Sequence, residues 1–319
     1  MIVIAQIVAL ATECNVPEDQ IPIVLVHGLV KSKSDMDILM ALIKADNPTR
    51  EVQTVEILFG TVSTVIEMPD RYIRAAATSI KDAVPDYKCI DIIGHSQGGF
   101  VTRAYTQLHS HIEGYPKVRR IYSLAGVQGG YYCYDKCGPI TSANPLINIA
   151  HMLTKPIITY SNFAKLMIVP TMQWKDPMDL TGYANSNCLL CQINGECTNS
   201  QVVGGLKVAT GKDQILDLQK FYTFYSPADE IISPPASEQF DFYQAGSRSV
   251  IQPFQTSDLY LEDRFGMKTL YDSGRWKNFQ VNGYKHRDFV DAKASEFYTK
   301  CLKHLIANDE ASAVTNCVF

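Results

Sequence analysis

The residues best suited to chemistry lie in one short stretch, Gly94-His95-Ser96-Gln97-Gly98. The apolar run Ile90 to Ile93 precedes it. Phe100, Ala104 and Leu108 follow at the spacing of a helix with one apolar face. A serine between two glycines at a strand-to-helix turn is the pattern of a nucleophile elbow, which holds the serine hydroxyl clear of the backbone. Ordinary glycine-rich turns share this spacing, so a nucleophilic role also requires a base and an acid elsewhere in the chain.

The chain supplies one well-placed residue for each of these roles. A serine becomes nucleophilic when a histidine takes its proton, and a carboxylate then holds that histidine in the correct tautomer. At such elbows the acid and then the histidine follow the serine along the chain. Asp229 comes directly after the β-prone run Lys220 to Tyr225, and His286 lies in a loop before the predicted last helix. We therefore predict that Ser96, Asp229 and His286 form a catalytic triad.

Other histidines and carboxylates fit these roles less well. Four histidines beyond the serine are predicted to lie on the surface or in an insertion: His109, His111, His151 and His304. Solvated surface carboxylates are expected at Asp258, Asp263 and Asp272. Glu230 lies beside Asp229 but would need a different loop path, and Asp288 lies too close in sequence to His286.

Attack on a carbonyl also creates an oxyanion, which needs two backbone N–H donors. One donor comes from the residue after the serine, here Gln97, and the other from the loop after an early strand. Pro22 to Val26 is an apolar, β-branched run of the kind buried on both faces, and His27-Gly28-Leu29 follows it. We predict the Leu29 and Gln97 N–H groups as the oxyanion donors, and a structural role for His27.

The surrounding elements predict a sheet that brings these residues together. Apolar patterns indicate strands at 22–26, 51–58, 88–93 and 118–125, with helices at 35–45 and 71–84 between them. This alternation predicts a mostly parallel sheet with helices on both faces, whose reactive loops lie beyond the carboxyl ends of the strands. The alternation resumes with a strand at 220–225, a further strand segment at 249–251 and a closing helix over 289–306.

Residues 129–218 interrupt this rhythm. The stretch holds five cysteines and several prolines, and it is too long for a plain connection. We predict that it is an inserted, mostly helical cap within a single domain spanning residues 20–319.

Composition narrows the protein class further. The 319 residues are 46% hydrophobic and 19% charged, and the net charge of −4 makes no electrostatic case for a nucleic-acid partner. The apolar run Ile2 to Ala11 is too short to span a bilayer and matches the core of a signal peptide over residues 1–13, although it lacks a basic start. A buried first strand is the alternative for this run.

The nine cysteines favour disulfides and hence an oxidising compartment. Cys133 and Cys137 are close enough to pair, Cys188, Cys191 and Cys197 cluster, and Cys301 and Cys317 lie near the end of the chain. These positions leave the connectivity of the disulfides open. Zinc at Cys188-x-x-Cys191 is a weaker alternative because no histidine lies at ligand spacing. We predict no metal and no cofactor, and we expect at least one unpaired thiol from the odd count.

With these residues assigned, the chain resembles the palmitoyl-protein thioesterase family of α/β-hydrolases. The likeness covers nearly the whole chain after the N-terminal run. It is most particular in Trp174-Lys175-Asp176-Pro177, in Asp229 to Pro234 and in Leu259 to Lys268. The resemblance implies the same triad and oxyanion donors, and an α/β-hydrolase fold whose cap forms an apolar groove for an acyl chain. It also implies an enzyme that removes long-chain fatty acyl groups from thioesters, in the lysosome or after secretion.

The substrate remains open within this resemblance. One branch of the family has Gly-Met-Gly-Asp where this chain has Gly28-Leu29-Val30-Lys31, and the chain is more similar to the branch that favours acyl-CoA. The expected substrates are therefore palmitoyl thioesters on cysteines of proteins or peptides, or on small thiols. The alternatives are an acyl-CoA-preferring thioesterase, an oxygen-ester lipase with the same triad, and an inactive hydrolase fold that binds lipid.

Overall fold

One parallel sheet organises the computed structural model, which describes residues 14–29, 31–58, 69–132, 169–186, 188–198, 202–203, 206–207, 211–317 and 319. Its six strands are β1 (Ile23–Val26), β2 (Val52–Val55), β3 (Cys89–His95), β4 (Lys117–Leu124), β5 (Lys220–Tyr225) and β6 (Trp276–Gln280). They lie in the order β6-β5-β4-β3-β1-β2, and every neighbouring pair is parallel. The direction of strand addition reverses between β1 and β3, and open parallel sheets bind their ligands beyond the carboxyl ends of the strands at such a point.

Helices cover both faces of this sheet. α2 (Pro69–Ala83) and α3 (Gln97–Leu108) contribute to the core on one face, while α1 (Asp37–Asp46) and the C-terminal helices contribute to the core on the other. Alternate residues of β1 belong to the two cores, as Val24 and Leu25 illustrate. The continuous apolar run of β1 therefore reflects burial on both faces.

Shorter elements connect and flank these parts. The remaining α-helices within the described residues are Leu180–Asn185, Leu189–Asn194, Lys212–Leu216, Asp258–Leu261, Met267–Asp272, Ala294–Phe297, Lys303–Ile306 and Glu310–Asn316. Single turns of 3-10 helix or π-helix are Glu18–Gln20, Lys33–Met36, Val169–Gln173, Pro235–Gln239, Phe254–Thr256 and Tyr298–Leu302. Two short antiparallel hairpins pair Val202–Val203 with Leu206–Lys207 and Phe242–Tyr243 with Ile251–Gln252.

The helix after the serine is buried more completely than its pattern predicts. All twelve residues of α3 are buried, beyond the single apolar face expected from its sequence. Arg103 Nη1 donates to Asn194 Oδ1 at 2.8 Å, and Gln107 Nε2 donates to the Ile193 carbonyl at 2.8 Å. The helix Leu189–Asn194, from the stretch predicted as an insertion, therefore covers the outer side of α3.

Most predicted elements form, and the differences concern two elements in the second half of the chain and one histidine in the first half. The strand at 220–225 has the predicted bounds, whereas the segment at 249–251 pairs only in a short hairpin outside the main sheet. The closing helix over 289–306 is wrong as one continuous element, because turns precede its first α-helical residue, Ala294, and a π-helical turn interrupts it. His109 is also wrongly assigned to solvent, since it is buried between the rings of Tyr105 and Tyr115.

Three disulfides form among the described residues, and they supply the connectivity that the sequence left open. Cys191 pairs with Cys197, Cys301 with Cys317, and Cys14 with Cys89 across 75 positions of sequence. Because Cys191 is in a disulfide, Cys188-x-x-Cys191 does not supply two thiolates for zinc. Cys133 and Cys137 lie outside the described residues.

Two predictions about organisation concern parts of the chain that are not described. The signal peptide predicted over residues 1–13 lies outside the described residues, as does 133–168 of the predicted cap. None of the described helices is long and apolar enough to cross a bilayer.

Candidate active site

Ser96 occupies a sharp turn between β3 and α3. Its backbone has φ 58° and ψ −126°, a conformation uncommon for a residue with a side chain. A Cβ on Gly94 would collide with the Gly98 backbone, and a Cβ on Gly98 would collide with the Val26 carbonyl oxygen. The turn therefore packs too closely against itself and against β1 to accept side chains at either glycine.

The structure joins the three predicted triad residues by hydrogen bonds. Ser96 Oγ lies 2.8 Å from His286 Nε2, and His286 Nδ1 lies 2.6 Å from Asp229 Oδ2. The three residues follow β3, β6 and β5, so the parallel sheet brings their loops to the same edge. All three side chains are buried, so these hydrogen bonds are electrostatically stronger than the same bonds would be in water.

The surroundings of Asp229 keep its carboxylate ionised. Its Oδ1 accepts the backbone N–H groups of Ile231 at 2.7 Å and Ile232 at 2.9 Å. Burial alone would raise the pKa of Asp229, but the charge of His286 and the hydrogen bonds outweigh it and lower the pKa to about 2. The ionised Asp229 accepts a hydrogen bond from the N–H of His286 Nδ1, which leaves the lone pair of Nε2 free to accept the Ser96 proton.

Two further side chains hold the backbone of His286. Glu230 Oε2 accepts the His286 N–H at 3.2 Å, and His95 Nε2 donates to the His286 carbonyl at 2.8 Å. Burial and the positive charge of His286 lower the pKa of His95 to about 3, so His95 is neutral and donates through Nε2. Sequence reasoning missed both contacts. It treated Glu230 only as a substitute for Asp229, although its place beside that acid was a signal.

The predicted oxyanion donors belong to backbone next to the serine. A Cβ on Gly28 would lie 2.9 Å from Ser96 Cβ and 3.3 Å from Ser96 Oγ, so the loop after β1 borders the hydroxyl. Leu29 follows Gly28 on that loop. Gln97 begins α3, where the N–H groups have no partner within the helix. An oxyanion formed at Ser96 would therefore lie beside both backbone segments.

His27 braces this loop. The ring is fully buried, with Nδ1 3.0 Å from the Gly28 carbonyl and Nε2 3.2 Å from Glu56 Oε1. These contacts agree with the structural role predicted for His27.

Among the described residues, Asp229, Glu238 and His286 have the spacing of a metal site, with their ligand atoms within 4.8 Å of one another. Asp229 and His286 already bond to each other, and His286 also bonds to Ser96. These two residues therefore already use their ligand atoms in the hydrogen-bonded chain that leads to Ser96.

These features define a class of protein. A buried Ser-His-Asp chain at the carboxyl edge of a parallel sheet, next to the point where strand order reverses, is the arrangement of an α/β-hydrolase. The model of the family described as Palmitoyl protein thioesterase matches residues 22–286, which is most of the chain. The chain belongs to that family, and the predictions of family and fold class are confirmed.

Relatives of known name share this assignment. Palmitoyl-protein thioesterase 3 of Dictyostelium discoideum is 28% identical over 268 residues, covering 84% of this chain and 85% of the relative. Palmitoyl-protein thioesterase 1 of Caenorhabditis elegans is 26% identical over 276 residues, covering 83% and 86%. Lysosomal thioesterase PPT2 of Homo sapiens is 26% identical over 268 residues, covering 83% and 82%.

Solved structures show more distant likeness. Metagenome-derived lipolytic enzymes, LipS and LipT, give a TM-score of 0.49 at 10% identity, covering 91% of this chain and 94% of theirs. A thioesterase domain from the curacin biosynthetic pathway gives 0.41 at 11% identity, covering 91% and 92%. At these scores the fold class rests on the sheet order and the family match.

Proposed function

We propose that this protein is a serine thioesterase that hydrolyses long-chain fatty acyl thioesters, such as palmitoyl thioesters, through an acyl-enzyme. The observation that supports this most is the hydrogen-bonded chain from Asp229 through His286 to Ser96, within the region that matches the thioesterase family. The expected substrates are acylated proteins or peptides, or acylated small thiols.

In this mechanism His286 Nε2 takes the proton of Ser96, and the serine oxygen attacks the thioester carbonyl. The Leu29 and Gln97 N–H groups stabilise the oxyanion, and collapse of the tetrahedral intermediate releases the thiol. Asp229 stabilises the imidazolium that forms in each step. A thiol has a pKa of about 8.5, so it leaves more easily than an alcohol. His286 then activates water against the acyl-enzyme and returns the proton to Ser96.

Residues 129–218 are proposed to cover the site and to contact the acyl chain. Each buried CH₂ of such a chain would contribute about 0.8 kcal/mol to binding. Much of the apolar stretch expected to line this surface falls in 133–168, outside the described residues, so the preference for a long chain rests on family membership.

A lysosomal or secreted location is part of the same proposal. Relatives named lysosomal thioesterases support it, as do the three disulfides, which persist in oxidising compartments.

The test compares one palmitoyl chain on three carriers: a cysteine peptide, CoA and a glycerol ester. We expect wild type to favour a thioester and Ser96→Ala to lose both hydrolysis and fluorophosphonate labelling. The matched control Ser295→Ala, at an exposed serine, should retain both.

Each alternative has its own outcome in this experiment. A preference for CoA over the cysteine peptide would select the acyl-CoA thioesterase, and a clear preference for the glycerol ester would refute the thioesterase proposal. Unlabelled, inactive wild type would indicate a hydrolase fold that binds lipid without chemistry.

A further inference from the structure

We propose that Glu238 is a positioning residue for the triad: it is held as a neutral carboxylic acid and donates a hydrogen bond to the Asp229 carboxylate. This inference rests on the proposed function of the site. In this arrangement Glu238 fixes Asp229, and Asp229 in turn orients His286.

Glu238 lies beside Asp229 and His286, with one carboxyl oxygen within 4.8 Å of a ligand atom of each. It belongs to the 3-10 turn Pro235–Gln239, and its side chain is fully buried. Glu238 Oε2 accepts the Ser226 N–H at 3.1 Å, while the Ser226 carbonyl accepts the Asp229 N–H at 3.0 Å. Both acids are therefore anchored to the same residue after β5.

The second oxygen of Glu238 lacks a donor. Oε1 is buried, and no N–H or O–H group in the described part of the chain donates to it. Its neighbour is the carboxylate of Asp229, which can only accept while it is ionised. An ionised Glu238 would thus be a buried charge facing another negative charge. A protonated Glu238 instead has an O–H group that can donate a hydrogen bond to the Asp229 carboxylate.

The donors around the two acids decide which of them keeps the proton. Asp229 accepts two backbone N–H groups and His286 Nδ1, whereas Glu238 accepts one backbone N–H. Two neighbouring carboxyl groups in a buried site cannot both ionise at ordinary pH. Asp229 carries the charge because it accepts more hydrogen bonds than Glu238. Burial, the charge of Asp229 and the hydrogen bond between the two acids raise the pKa of Glu238 well above its ordinary value.

The titratable groups that face Glu238 among the described residues are few. Asp229 and His286 face it from the loops after β5 and β6, and Tyr225 interacts with it from the end of β5. None of these brings a permanent positive charge that would ionise Glu238. The neutral acid therefore leaves Asp229 as the one negative charge of this cluster that acts on His286.

The test separates the hydrogen bond from simple filling of space. Glu238→Gln keeps an N–H donor toward Asp229 and an oxygen acceptor for Ser226, while Glu238→Met keeps the length and removes both. We expect Glu238→Met to lower kcat on a palmitoyl-cysteine peptide by about 10- to 100-fold with little change in KM, because Asp229 is no longer held. Glu238→Gln should restore most of that loss and keep the acid limb of the pH profile, and Glu262→Met is an exposed control.

Two spectroscopic readouts address the structure of the cluster. The downfield proton signal of His286 Nδ1 should move in Glu238→Met and stay in Glu238→Gln. Infrared difference spectra of wild type against Glu238→Gln at neutral pH should show a protonated carboxyl band, and this measurement needs no Met variant should that variant fail to fold.

The outcomes are distinct from those of the proposed function. Wild-type kcat in Glu238→Met, equal losses in both variants, or no protonated carboxyl band would overturn the role of Glu238 while Ser96-dependent hydrolysis stands. Activity that persists in Ser96→Ala would overturn the proposed function itself.

Discussion

Replacing Asp229 with asparagine is expected to inactivate the site by reversing the tautomer of His286. Asp229 Oδ1 accepts two backbone N–H groups, from Ile231 at 2.7 Å and Ile232 at 2.9 Å, and Oδ2 contacts His286 Nδ1 at 2.6 Å. In Asp229→Asn the amide oxygen must take the Oδ1 position, because an amide NH₂ there would face two donors. The NH₂ group then points at His286.

The size of the effect follows from this forced orientation. An NH₂ donor makes His286 Nδ1 an acceptor, so the imidazole proton moves to Nε2 and faces Ser96 Oγ at 2.8 Å. The histidine can then no longer take the serine proton. The same substitution in a Ser-His-Asp triad lowers kcat by about 10⁴-fold, which is about 5.4 kcal/mol of transition-state stabilisation.

The assay is steady-state hydrolysis of a palmitoyl-cysteine peptide at pH 7, with thermal unfolding to verify that the near-isosteric variant is folded. Asp258→Asn is the matched control because Asp258 is exposed and far from the triad in sequence. A kcat for Asp229→Asn within tenfold of wild type would refute the tautomer argument, as would an equal loss in the control.

Three further predictions test the surroundings of the site. Asp91→Asn removes a buried carboxylate that accepts from two arginines at 2.6 and 2.8 Å, and should lower the free energy of unfolding at pH 7 by about 3–5 kcal/mol in urea titrations. Burial alone would raise the pKa of Asp91, but the arginines outweigh it and lower the pKa. The ionised Asp91 therefore stabilises the fold at every pH above the ordinary aspartate pKa of about 3.9, and this stabilisation is lost as the pH falls through the lowered pKa. Equal acid sensitivity of variant and wild type would contradict this. His95→Phe removes the donor to the His286 carbonyl and should lower kcat about tenfold. The loss should be equal at pH 5 and pH 8 because His95 is neutral at both, so a pH-dependent loss would contradict the prediction. Gly98→Ala forces a Cβ against the Val26 carbonyl and should lower the free energy of unfolding by about 1–3 kcal/mol in the same titrations, whereas unchanged stability would show that the turn has room.

The first half of the sheet could be predicted because its signals are local. β1 is a continuous apolar run buried on both faces, β3 is mostly apolar apart from Asp91 and His95, and the glycines around Ser96 indicate a tightly packed turn. Asp229 and His286 could be chosen because the order of acid and histidine, together with their place on loops, excluded the other candidates.

The sixth strand and the extra disulfide could not be predicted in the same way. In β6 only Trp276 and Phe279 are buried, so the edge strand lacks an apolar run, and it pairs with β5 from 55 residues away. Cys14 and Cys89 are 75 positions apart, and nothing in their spacing links them. His109 follows an apparently one-faced helix, and its burial between the rings of Tyr105 and Tyr115 does not follow from that pattern.

The sequence by itself determined the nucleophile turn, because a serine between two glycines after a strand is a local pattern. The reason that Gly98 must be a glycine is tertiary, since a side chain there would meet the Val26 carbonyl of β1. Only the tertiary structure decided what surrounds the acid and the base. Asp229 and His286 are 57 residues apart, and His286 is 190 residues from Ser96, yet hydrogen bonds of 2.6 and 2.8 Å join them. The supports from Glu230, His95 and Glu238 depend on how the loops after parallel strands meet at one edge, and that meeting is set by strand order rather than by any local pattern.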